Sequence, residues 1–218
     1  QSSDGVNEHD DYWELWNLVF IQNERLSDGS LTQLSQSHVD TGAGLERITS
    51  VLQGKTSNYE TDLFQPIIKE IESRSEIRYI ENPVPFQVIA DHIRMLCFSI
   101  ADGALPSNEG RGYVLRRILR RASRFGRVLK LDEPFLHKLV HTVCDLMIDA
   151  YPELNEKSTH IKLVIGTEET LFNKTLGRGI NHLEKLIDSI GNEKVISGDD
   201  AFKLYDTYGF PLDLTQLI

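Results

Sequence analysis

Cysteine is scarce in this chain. Two occur in 218 residues, Cys97 and Cys144, far apart and in apolar surroundings. That excludes a disulfide-stapled scaffold and reads as two small core residues in a reducing compartment. No C-x-x-C and no H-E-x-x-H occurs, so no zinc spacing is present. His137 and His141 stand four apart but lack a third ligand. No signal peptide is legible and no apolar run reads as long enough to span a membrane, which places the chain in the cytoplasm. Repeats and low-complexity tracts are missing too. Positive charge is also short: the formal net charge is −10 and the pI about 5.2. That excludes a protein that binds a polyanion over its whole surface. Any such contact must be local.

One segment reverses the sign. Between Ser107 and Lys130 stand eight positive charges and one negative. At about 100° per residue, Arg116, Arg117, Arg120, Arg121, Arg124 and Arg127 fall in one helical arc. Val114, Ile118, Ala122, Phe125 and Leu129 fall opposite. The spacing predicts an apolar face that anchors the helix and a basic face turned to phosphates. The plainer alternative is a solvated helix surface, although such surfaces usually mix signs.

The chain is 40% hydrophobic and 26% charged, enough for one large or two small domains with a core. Tyr12 to Gln22 is aromatic and β-branched and predicts a strand buried on both faces. Ser27 to Ser30 is a turn, and Leu31 to Leu34 returns antiparallel. Val39-Asp-Thr-Gly-Ala-Gly44 feeds a helix with Leu45, Ile48 and Leu52 in phase, ended by Gly54. Beyond it the pattern is helical: Asp62 to Glu72, Phe86 to Ala104, the arginine helix, Glu133 to Tyr151, and Ser158 to Ile190. Asn82 to Pro85 reads as a stiff connector. Gly177 and Gly179 are expected to kink or interrupt the last long helix. Ser197 to Asp200 resembles a capping box before a short helix that Gly209 and Pro211 stop. The fold class is therefore α+β, mostly α. The polar run Gln1 to Asp11 and the helix start at Pro211 to Ile218 both read as cut ends.

Three constellations could carry chemistry. In Asp40 to Arg47, Gly42 and Gly44 let backbone approach a ligand at a helix start, where unpaired N–H groups favour anions. Arg47 can pair with a phosphate or lie flat on a base, and Asp40 can hold an ammonium. The alternative is a glycine-rich turn with a surface arginine. Asn17 interrupts an apolar strand, on the side of Trp13, Leu15 and Val19. It is either a substrate contact on a pocket floor or a loop hydrogen bond. Glu14 lies on the opposite face by alternation, and its carboxylate could hold Mg²⁺ beside phosphates. Asn108 and Asp206 could read base edges while arginines hold the backbone, or serve as turn and helix-end residues.

Together, Glu14 to Gln22, Val39 to Ile48, Ser57 to Phe64, Val88 to Arg94, Ala101 to Arg121 and Leu204 to Pro211 resemble the alanyl-tRNA synthetase family in order and nearly end to end. The resemblance implies a class II aminoacyl-tRNA synthetase, with ATP and alanine bound on an antiparallel sheet. Residues 1–62 would be the end of the catalytic domain and 63–218 a helical tRNA-recognition domain. By that likeness Arg47 is the catalytic arginine, stacked on adenine and reaching the γ-phosphate. Asn17, Asp40 and Gly42 would bind alanine, and Glu14, Gly42, Gly44 and Arg47 would bind ATP with Mg²⁺. Asn108 and Asp206 would read a G·U pair in the acceptor stem of tRNA(Ala). Arg111, Arg116, Arg117, Arg120, Arg121 and Arg124 would line that tRNA site. The family's first two class II motifs and its zinc-binding editing domain have no counterpart here. The expectation is that this piece alone makes little alanyl-adenylate, and that the strand edges around Tyr12 to Leu34 are mobile, self-associate with another copy or repack. A non-catalytic RNA-binding module and a scaffold for an acidic protein partner remain the competing readings.

Overall fold

The computed structural model describes residues 12–190 and 195–208. It divides into two compact units, Gln1–Gln65 and Pro66–Ile218. In the first, β1 (Trp16–Arg25) and β2 (Leu31–Ala43) form an antiparallel ribbon, followed by α1 (Leu45–Leu52) and a 3₁₀ turn at Asn58–Glu60. The turn between the strands is closed by backbone bonds between Leu26 and Ser30, and between Gly29 and Leu26. Gly29 has φ +85°, a conformation that favours glycine. Asp28 accepts from the Ser30 backbone N–H and its hydroxyl, which holds the Asp28 carboxyl below its ordinary value.

Burial corrects one expectation. No residue of β1 is buried, so the strand is not covered on both faces. Trp16 pairs with Ala43, Leu18 with Thr41 and Phe20 with Val39, and cross-strand pairs share a face. That face is apolar and open: Trp16, Leu18, Phe20 and Val39 are all exposed. The other face carries Asn17, Val19, Asp40 and Gly42.

The second unit is a helical bundle: α2 (Gln65–Glu72), α3 (Pro83–Ala101), α4 (Gly110–Val128), α5 (Leu136–Met147), α6 (Pro152–Glu156), α7 (Ser158–Ile190) and α8 (Gly198–Tyr208). Its hub is α3, which packs on α4, α5, α6 and α7. Phe86, Ile89, Ile93, Leu96 and Ile100 are all but completely buried. By length and composition α3 could cross a membrane, contrary to the sequence reading. Its apolarity has another cause here: it has neighbours on several sides, and half of it is buried. Asn82 to Pro85 is not a connector. Pro83 opens α3, where a missing N–H costs nothing. Gly103, at φ +90°, closes it with the Ala104 N–H donating to Ser99 O, and Lys157 Nζ donates to Ala101 O at 2.6 Å. Cys97 and Cys144 are buried and free, and burial pushes both thiols up.

α7 runs through Gly177 and Gly179 without the interruption that was one of the two expected outcomes. Phe172, Leu176 and Leu183 are buried beside Leu204 of α8, and that packing outweighs the roughly 1 kcal/mol each glycine costs a helix. Ser197 caps α8 as expected: its hydroxyl accepts from the Asp200 N–H at 3.1 Å. The predicted stops at Gly209 and Pro211 and both cut ends lie outside the described residues.

Glu169 of α7 is fully buried and caps α5, accepting from the N–H groups of Phe135 and Leu136 at 3.0–3.3 Å. Burial outweighs those bonds and pushes its carboxyl from 4.5 to about 7. The folded state thus holds this proton more tightly than the unfolded chain does. Its contribution to stability is full below about pH 4.5 and lost as pH rises through about 7. His137, held below its ordinary value by burial and by Lys138, Arg74 and Lys162, contributes the opposite slope. Denaturant unfolding of Glu169→Gln against the natural chain isolates the first term. On the order of 3 kcal/mol of pH-dependent stability should vanish across that window. Parallel pH curves for the two proteins would refute this.

Candidate nucleotide and nucleic-acid sites

In the first unit, Asn17 lies opposite Gly42 in register and Asp40 two residues further along β2, so the three share one face. The face is open; Asn17 and Asp40 are exposed, not a pocket floor. Gly42 has nothing within 4 Å of where a Cβ would stand, so a ligand can reach its backbone. Glu14 departs from the alternation argument. β1 begins at Trp16, so Glu14 lies before the strand and outside its alternation, and Asn17 Nδ2 donates to Glu14 Oε1 at 2.6 Å. Predicted to oppose each other, the two side chains meet. Thr41 locks the other face, accepting from the Trp16 indole N–H and donating to Asn17 O at 3.1 Å.

Arg47 sits in the first turn of α1, whose N-cap is Gly44. Its Nη1 donates to Glu14 O at 2.7 Å, and Gly44 N–H donates to Leu15 O at 3.1 Å. Both bonds tie the helix start to the entry of β1. The Arg47 stem passes 3.5 Å from the site of a Gly44 Cβ, ordinary van der Waals contact. The guanidinium stays exposed, with four further N–H donors beside Glu14 and Asn17. Among the described residues no three His, Cys, Asp or Glu converge as a metal cage. One carboxylate, Glu14, fits the sparse protein ligation of Mg²⁺, which takes most of its ligands from phosphate and water.

In the second unit α4 divides its arginines. The buried row is Gly112, Leu115, Leu119, Ala122, Ser123 and Gly126, not the row through Val114 and Ile118. Val114 is exposed. Gly112 lies where a Cβ would strike Ser107 and Leu105 O, and Gly126 where one would strike the Phe135 ring. These two glycines let α4 seat closely. The resulting rotation turns one flank of the arginine arc inward. Arg116 Nε and Arg120 Nη2 approach Glu168 Oε1 of α7 at 3.1 and 3.0 Å, with both arginine side chains 19% exposed and Glu168 8%. Arg120 also covers the Phe172 ring at 5.2 Å. Arg127 pairs with Asp132 and Lys130 with Glu76. The expected single open ridge is thus corrected.

Arg111, Arg117 and Arg121 remain exposed, and Arg124 is half-buried near Phe125. Tyr113, Arg117 and Arg121 form a row at i+4 spacing, with Arg117 over the Tyr113 ring at 5.8 Å. Tyr113 and Tyr205 meet through their hydroxyls at 3.3 Å, which sets α8, carrying Asp206, beside this row. Asn108 is exposed in the loop before α4, and its Oδ1 accepts from Arg116 Nη1. A cleft of about 610 Å³ runs between the end of α3 and the first turns of α4, with Asp102 and Arg111 on its walls.

Sequence reasoning missed Glu168 and Thr41. Glu168 had a signal: it sits in the register of Ile161, Ile165, Phe172 and Leu176, where a carboxylate needs a partner. Thr41 had none.

The first unit thus presents a glycine-flanked helix start with an exposed arginine, and the helical unit presents a basic row. The chain belongs to the family described as tRNA synthetases class II (A), which matches residues 1–218. It is 55% identical over 210 residues to alanine–tRNA ligase of Magnetococcus marinus, covering 94% of this chain and 24% of that protein. It is 54% identical over 214 residues to the same ligase of Halalkalibacterium halodurans, and 54% over 213 to that of Staphylococcus epidermidis, each covering 96% of this chain and 24% of the relative. The chain spans about a quarter of the length of these curated relatives.

Glu168→Ala leaves Arg116 and Arg120 without their carboxylate. Urea unfolding should register a loss on the order of 3 kcal/mol. Arg117→Ala and Arg121→Ala should each stay within about 0.5 kcal/mol of the natural chain. Equal losses at all three positions would contradict the inward–outward division.

Proposed function

We propose that this chain acts within an alanine–tRNA ligase, supplying part of the ATP and alanine pocket and a reader for the acceptor stem of tRNA(Ala). In the reaction an alanine carboxylate oxygen attacks the α-phosphorus of ATP and pyrophosphate leaves. The alanyl group then passes from AMP to a 3′-terminal hydroxyl of the tRNA. Arg47 binds the nucleotide as the catalytic arginine, with Gly42 and Gly44 giving backbone access. Asp40 takes the alanine ammonium, and Asn17, held by Glu14, orients the amino acid. Mg²⁺, when bound with the phosphates, would supply charge neutralisation, and Glu14 would hold it. Support for the pocket comes from Asn17, Asp40 and Gly42 sharing a face. The open apolar face and edges of the ribbon are surfaces for further strands, from a longer ligase chain or from a second copy. The buried thiols suit a cytoplasmic setting.

For the stem, the exposed row Arg117–Arg121 beside Asn108 carries the reading. Arg111, Arg117, Arg121 and Arg124 grip phosphates; Arg116 and Arg120 act from behind through Glu168. Asn108 and Asp206 supply a donor-bearing and an acceptor side chain to the wide minor groove of an A-form stem. In a G·U wobble the pyrimidine shifts toward the major groove, which leaves the guanine 2-amino group without a base partner and moves the pyrimidine O2, so a donor and an acceptor on the minor-groove edge both differ from those of a G·C pair.

Titration with a G·U acceptor-stem hairpin and with its G·C counterpart tests this. The G·U stem should bind more tightly by about 1–3 kcal/mol. Arg117→Ala or Arg121→Ala should weaken both hairpins alike and lower the salt slope by about 1. Equal affinity for the two stems defeats the reader role, and unchanged affinity in both variants defeats the phosphate grip. For the pocket, calorimetric titration with ATP should register a loss of about 1.5–3 kcal/mol on Arg47→Ala. An unaltered affinity removes Arg47 from the nucleotide site.

A further inference from the structure

Asn108 does not stand alone. Its Oδ1 accepts from Arg116 Nη1, Arg116 Nε lies 3.1 Å from Glu168 Oε1, and Glu168 is nearly buried between Arg116 and Arg120. The chain of contacts runs from an exposed loop into the seam between α4 and α7. Its chemistry fixes an orientation. A guanidinium has only donors, so the atom of the Asn108 amide that it meets must be the oxygen. The amide nitrogen is then the group left facing outward. The rest of the seam is settled independently: Ser123 donates to Asn173 Oδ1 at 3.1 Å, and Arg120 donates twice to Glu168 Oε1. Glu168 Oε1 thus engages both arginines, and Arg116 in turn meets Asn108.

We propose that Glu168 is a positioning residue for stem recognition: through Arg116 it holds Asn108 so that the side chain presents an N–H donor, and Asn108 reads a hydrogen-bond acceptor on the minor-groove edge of the stem. This rests on the acceptor-stem reading above. A stem acceptor of this class is a pyrimidine O2, a purine N3 or a ribose 2′-hydroxyl. Without the Glu168 anchor Arg116 swings free, the loop amide rotates, and it offers oxygen and nitrogen indifferently. Stem phosphates would still be gripped by Arg117 and Arg121, so affinity persists while discrimination goes.

The experiment measures the ratio of affinities for G·U and G·C hairpins on the whole 218-residue chain, with thermal unfolding followed in parallel. Glu168→Gln keeps the shape and removes the charge; the ratio should fall to within twofold of one, while affinity for the G·C hairpin changes by less than threefold. Asn108→Asp keeps an oxygen for Arg116 but has no N–H, and should abolish the ratio as fully as Asn108→Ala. Arg116→Met leaves Glu168 with Arg120 and should also abolish it, which covers the case that Glu168→Gln fails to fold. Ser123→Ala, which breaks the bond to Asn173 in the same seam without touching Glu168, Arg116 or Asn108, should keep the ratio. A preserved ratio in Arg116→Met, or in folded Glu168→Gln, overturns the positioning role. A preserved ratio in Asn108→Asp overturns the donor assignment. A natural chain with a ratio of one overturns the acceptor-stem reading itself, and this inference with it.

Discussion

One carboxylate holding two guanidinium groups decides how the helical unit works. Glu168 on α7 draws Arg116 and Arg120 of α4 out of the solvent-facing set. Taking three charges partly out of water is costly, and only their close mutual approach offsets it. The geometry fixes the rotation of α4 about its axis, together with Gly112 and Gly126, which admit Ser107 and the Phe135 ring. Once that rotation is set, Arg117 and Arg121 must face outward, and the loop before α4 must bring Asn108 against Arg116. A structural ion pair and a solvent-facing basic row are two consequences of one helical arc.

The strand ribbon follows a different logic. No core holds Asn17, Asp40 and Arg47; strand register and a few hydrogen bonds do. Pairing of Asn17 with Gly42 puts a bare backbone between two polar side chains. Arg47 to the Glu14 carbonyl and Gly44 to the Leu15 carbonyl then fasten the helix start to the strand entry. The apolar face behind, with Trp16, Leu18 and Phe20 open, gives this ribbon little stability of its own. Backbone bonds set its geometry, and added layers would supply its rigidity.

Much of this was legible in the residues. Ile89, Ile93, Leu96 and Ile100 recur at helical spacing, and all four are buried in α3. The turn at Asp28–Gly29 and the cap at Ser197 follow from local chemistry, which depends on few distant partners. The failures were of another kind. Pro83 and Pro85 read as a linker because proline opens helices and stiffens linkers with the same local signature. Gly177 and Gly179 read as a break because propensity ignores the burial of Leu176 and Leu183. The buried row of α4 was misplaced by about one residue, because Gly112, Ser123 and Gly126 face the core without being apolar. Charge alone could not say which arginines turn inward. That depended on Glu168, 48 residues beyond Arg120 in sequence.

The most direct test is nitrogen-15 NMR of the arginine Nε–Hε groups, with and without a G·U acceptor-stem hairpin. Arg116 and Arg120 should give slowly exchanging signals in the free protein that hold their positions when RNA is added. Arg117 and Arg121 should exchange rapidly when free and shift or sharpen on binding. Equal shifts at all four arginines, or movement confined to Arg116 and Arg120, would contradict the division of α4 into an anchored flank and an RNA-facing one.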